Sequence, residues 1–174
     1  MFYGLTPLGT VHTAISLMAV IAGLVALFRY KEISMASRAG RVYVVTTVLT
    51  CLTGFGIFQH GGFGKPHALG IITLVVIAVA VQAGRSQIFG KLSAYVSVVG
   101  FSLTFFFHMI PGATETATRL PLGAPWVADP DTSEGLQRTI AGLFVVFLIG
   151  ATVQVLRLRA IRQRGAPDAL RVMG

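Results

Sequence analysis

Four histidines, His12, His60, His67 and His108, are the side chains of this 174-residue chain best suited to chemistry. Imidazole is the commonest protein metal ligand and titrates closest to neutral pH. His12 and His108 lie inside long apolar runs. His60 and His67 flank the turn in FQHGGFGKPHALG, residues 58–70. An ionisable side chain in such a run is costly and normally faces a bundle interior or a cavity. Two imidazoles at one depth on facing helices would ligate a b-type haem, with His12 and His108 the best-matched pair and His67 the third candidate. Three or four imidazoles, with Glu115 or a loop aspartate, would suit zinc or copper. Three with an open position would permit metal-assisted hydrolysis of a lipid. No HExxH or comparably tight ligand pattern is present. The simpler alternative is an interfacial histidine at each helix end, with no ligand.

The elements that must carry these residues are apolar helices. The chain is 54% hydrophobic and 11% charged, against about 25% charged for a soluble domain. This composition is that of an integral membrane protein forming one domain, residues 1–174. A helical span needs about 20 apolar residues. Five are expected: Pro7–Phe28, Val42–His60, Pro66–Gly84, Leu92–Ile110 and Thr139–Leu158. Pro7 and Pro66 suit helix starts, and Pro111-Gly112 is expected to stop the fourth helix. The fold class is therefore an all-α, five-helix transmembrane bundle. Residues 111–138 are its long loop, with DTSEG as the start signal of the last helix.

Eleven of the 14 lysines and arginines fall in the 29–41 and 85–91 connections and the C-terminal segment. The positive-inside rule puts these in the cytoplasm and the N-terminus outside. The net charge of +8 thus marks topology and attraction to an anionic bilayer surface, not nucleic-acid binding. The chain reads as a multi-pass protein of the bacterial inner membrane. Tyr30 and Tyr43 suit the inner interface, Trp126 the outer one, and Cys51 reads as a small core residue.

With this topology all four histidines fall on the outer side, from four different helices, in a layer on the order of 10 Å deep at ~1.5 Å per residue. Glycines in the spans (Gly23, Gly54, Gly56, Gly70, Gly100, Gly142 and Gly150) would admit a porphyrin, or else tight helix contacts. Lys65 or Arg119 could meet haem propionates. Glu115 and Arg119, four apart, could pair on a short helix, and the loop could lie as a lid over the histidines. Gln59, Gln82 and Gln154 could bridge helices.

The stretches TPLGTVHTAISLMAVIAGLVALFR, RAGRVYVVTTVLTCLTGFGIF, GGFGKPHALGIITLVVI and TETATRLP resemble a bacterial family of small multi-span membrane proteins catalogued as a domain of unknown function. The resemblance covers roughly residues 6–121. It rests on an LGxxH pattern at Leu8–His12, GR-x-Y at Gly40–Tyr43, FGxxH at Phe63–His67 and TRLP at Thr118–Pro121. It implies a membrane bundle with His12 and His67 as pattern histidines, and it implies no activity. His60 departs from the pattern. The expected function is a membrane redox or metal-binding protein holding haem b, zinc or copper, with quinone or another membrane subunit as partner. A zinc- or copper-dependent enzyme and a non-catalytic packing subunit are the alternatives.

Overall fold

The computed structural model describes residues 6–57 and 62–171. Five α-helices follow one another: α1 Pro7–Tyr30, α2 Arg38–Gly54, α3 Lys65–Arg85, α4 Ser93–Arg119 and α5 Glu134–Arg171, with a single 3-10 turn at Gly90–Leu92. The described residues contain no strand. α1, α3, α4 and α5 are long and apolar enough to cross a membrane. α2 has 17 residues and is not among these four.

The starts of the helices follow local chemistry. Thr6 caps α1 by accepting from the Gly9 N–H at 3.1 Å, with Pro7 in the first turn. Ser37 caps α2 through Gly40 N–H at 3.0 Å, and Ser133 caps α5 through Leu136 N–H at 3.3 Å. In each case a side-chain oxygen takes an amide that the helix itself leaves without a partner.

Two expected boundaries are corrected. α2 begins at Arg38 and ends at Gly54 rather than running to His60, which lies outside the described residues. Pro111 does not end α4; the helix passes through it to Arg119. Proline removes one donor, but the turns after it are reinforced. The hydroxyls of Thr114, Thr116 and Thr118 return to the carbonyls of Ile110, Gly112 and Thr114 at 2.7–2.9 Å, and Glu115 pairs with Arg119 one turn on. The helix stops one proline later, where Leu120, preceding Pro121, adopts an extended backbone, as residues before proline do. The connection to α5 is correspondingly shorter than expected.

α1 packs on α2, α3 on α4, and α4 on α5, while α4 also touches α1. The core is narrow and built of small residues around two rings. Ala19, Ala22 and Ala26 of α1 and Ala80 of α3 meet Tyr43 of α2 and Phe101 of α4. At the α4–α5 contact, Phe106 meets Phe144 in a tilted pair and stacks on Phe147, with centroids 5.4 and 5.7 Å away. Gln154 of α5 receives the Ser102 hydroxyl at 2.8 Å and donates to the Lys31 carbonyl at 3.0 Å. It bridges three segments, as expected of a glutamine in a span. Gln82 instead reaches Ser86 on its own helix end, and Gln59 lies outside the described residues.

Candidate functional site

Two of the described histidines, His12 and His108, are held by a threonine ladder on α2. Thr46, Thr47, Thr50 and Thr53 recur at helical spacing, and the first three are buried. His12 Nδ1 of α1 lies 3.0 Å from Thr53 Oγ1. The Thr53 hydroxyl has one proton, and the carbonyls of Leu49 and Thr50 take it at 2.8 and 3.1 Å. Thr53 can then only accept from the imidazole. His12 therefore carries its proton on Nδ1, and Nε2 keeps the lone pair.

His108 of α4 is held in the same way, with its Nε2 3.0 Å from Thr47 Oγ1. Beside it, Thr104 spends its proton on the Phe101 carbonyl at 2.8 Å, so the Tyr43 phenol, 2.8 Å away, donates to Thr104. Two bonded segments result: His108 with Thr47, and Tyr43 to Thr104 to the Phe101 carbonyl. Tyr43 is wholly buried, which corrects its placement at the interface. The sequence signal missed was the α2 face itself, Tyr43-Thr46-Thr47-Thr50-Thr53, polar in an apolar helix.

His67 has a different local role. Its Nδ1 accepts the Gly64 N–H at 3.2 Å across the first turn of α3. Its ring lies between Phe55, stacked at 6.4 Å, and Phe63 at 5.2 Å. Among the described residues no three histidine, cysteine, aspartate or glutamate side chains come together as a metal group. The expected trio of His12, His67 and His108 therefore does not converge, and His60 lies outside the described residues. The charged candidates are spoken for: Arg119 by Glu115, and Lys65 by Asp131 at 2.7 Å, both of the latter exposed. The residues after α4 fold back on its own last turns, with Val127 N–H on the Ala117 carbonyl and Trp126 N–H on the Leu120 carbonyl, both at 3.0 Å. Trp126 is 71% exposed.

Five of the glycines expected to make room for a porphyrin, Gly23, Gly54, Gly56, Gly70 and Gly100, are seats for neighbouring side chains, while Gly142 and Gly150 meet nothing within 4 Å. A Cβ on Gly23 would meet the Phe105 ring at 2.6 Å, on Gly70 the Phe55 ring at 2.8 Å, and on Gly100 the Ala80 methyl at 3.0 Å. Gly54 seats the His12 ring itself at 3.2 Å. Four-ligand zinc would need donors beyond those described. Copper in its reduced form accepts two nitrogens, and imidazole suits copper.

No family model, curated protein or solved structure matches this chain.

Proposed function

We propose that the chain is a five-span protein of the bacterial cytoplasmic membrane, N-terminus outside and C-terminus inside, and that its working site is the pair His12 and His108. The single observation that carries this reading is the pinning of each imidazole through one ring nitrogen by an α2 threonine at 3.0 Å, which leaves the other nitrogen unused by that threonine. A histidine that ligates a metal characteristically donates its second N–H to a fixed acceptor, which sets tautomer and ring orientation. His12 and His108 are the residues that would hold one copper ion, and copper would supply one-electron chemistry. Thr47 would hold the His108 ring through Nε2 and turn Nδ1 to the ion. The distribution of lysine and arginine supports the orientation, and the resemblance of residues 6–121 supports the bundle without adding an activity.

A second reading, a non-catalytic packing subunit, is favoured by a different observation. Gly23, Gly70, Gly84 and Gly100 of α1, α3 and α4 are filled from within the chain, whereas Gly142 and Gly150 of α5 face open space.

Elemental analysis and an absorption spectrum of the detergent-purified protein, oxidised and then dithionite-reduced, separate these readings. One copper per chain, lost in both His12→Gln and His108→Gln, is expected. Copper retained in both variants, or none in the wild type, overturns the copper site. With no metal and a featureless spectrum the packing reading stands. A Soret band that survives purification would restore the haem.

A further inference from the structure

Among the described residues, the end of the bundle opposite the histidines carries many cations and few carboxylates. All three ion pairs among the described residues, Lys65–Asp131, Arg119–Glu115 and Arg138–Glu134, lie towards the histidine end. At the other end the basic side chains face a single described carboxylate, Glu32, and form no ion pair with it. Several of these cations have structural work. Arg157 donates to the Tyr30 carbonyl at 2.9 Å, Lys31 Nζ to Phe28 at 2.9 Å, and Arg162 to the Lys91 carbonyl while lying over the Tyr95 ring at 4.8 Å. Arg29 has no such bond among those described; its guanidinium lies 5.7 Å from the Tyr30 ring centroid.

Arg29 also closes one end of a shallow groove of about 480 Å³ on α1, whose other walls are Ile21, Leu24, Val25 and Phe28. These four recur at i, i+3, i+4 and i+7, a single stripe along the helix. All four are exposed, Ile21 at 60% and Phe28 at 74%. An apolar stripe that runs along a membrane helix and ends at an unneutralised guanidinium has the shape and charge of one ligand class.

We propose that this groove is a binding site for one anionic phospholipid, with an acyl chain along Ile21, Leu24, Val25 and Phe28 and the headgroup phosphate on Arg29. Guanidinium presents paired donors that match two phosphate oxygens. The surrounding excess of arginine favours a headgroup with net negative charge over a zwitterion, whose own cation competes. The proposal concerns α1 alone and does not depend on the histidine site.

The test is thermal unfolding of the detergent-purified full chain with added dioleoylphosphatidylglycerol or dioleoylphosphatidylcholine. Phosphatidylglycerol is expected to raise the midpoint above that with phosphatidylcholine, and Arg29→Gln to abolish this excess. Arg164→Gln, a control at the same end outside the groove, is expected to keep it. Val25→Trp, which fills the stripe without touching charge, is expected to weaken the effect and guards against a charge change acting through folding. Equal shifts from the two lipids overturn the site. So do equal losses in Arg29→Gln and Arg164→Gln, which would mean diffuse attraction, or an equal effect of inorganic phosphate without lipid.

Discussion

At the scale of single residues, the decisive feature is that each buried polar group of α2 is matched by a partner with the complementary role. Tyr43→Phe tests this. The change removes the phenol that bonds Thr104 at 2.8 Å, in a site where Tyr43 is fully buried. A buried polar group left without its partner costs ~1–3 kcal/mol, and reversible unfolding in mixed micelles should read a loss of that size. Thr104→Val, which removes the acceptor of that bond, should cost less when combined with Tyr43→Phe than the sum of the two single changes. Coupling of this sign is the mark of residues in one network. His12 and His108 could be picked out from the sequence because ionisable residues stand out in apolar runs. The threonines could not, since threonine is at home in a membrane helix, where its hydroxyl bonds its own backbone, as Thr46 and Thr50 do here. Which threonines turn outward to a histidine depends on how α1 and α4 sit on α2, a long-range relation that no local pattern carries.

At the scale of elements, the helices are held apart or together by what occupies the glycine positions. A Cβ on Gly40 would lie 2.0 Å from the Ser34 carbonyl oxygen, a backbone atom that cannot turn aside. Gly40→Ala should therefore destabilise by about 2 kcal/mol or more, through overpacking. Gly142→Ala on α5 meets nothing within 4 Å and should be neutral or stabilise by up to ~1 kcal/mol through helix propensity. The same unfolding assay checks both, and an equal cost for the two would contradict the packing described. The Gly40–Tyr43 pattern thus marks a close backbone crossing followed by a buried ring. Helix number, the starts at Pro7 and Lys65–Pro66, and the DTSEG start signal were readable from apolar length and capping chemistry, although α5 begins at Glu134, before the expected Thr139. The end of α4 was not, because a proline rule that holds in water is relaxed where threonine hydroxyls and neighbouring helices support the broken turn.

At the scale of the whole molecule, charge is sorted between the two ends. One end carries mixed charge closed into ion pairs; the other is almost wholly cationic. The orientation that follows is testable by labelling. Cys51 is buried, so single cysteines can be added against a low background. Trp126→Cys should react with a membrane-impermeant maleimide in intact cells. Arg164→Cys should react only after permeabilisation. The reverse pattern would invert the topology and place the histidines at the cytoplasmic face.

The brevity of α2 has a consequence for the bilayer itself. Its 17 residues rise only about 26 Å at ~1.5 Å each, less than the ~30 Å of a hydrocarbon core. Lipids beside a span that is too short are drawn thinner, at a modest cost per ångström. Beside α2 the water interface would therefore dip towards Thr53 and the His12 ring it holds. An ion or proton arriving from that side would meet the imidazole after a shorter crossing than anywhere else on the perimeter, with no channel required.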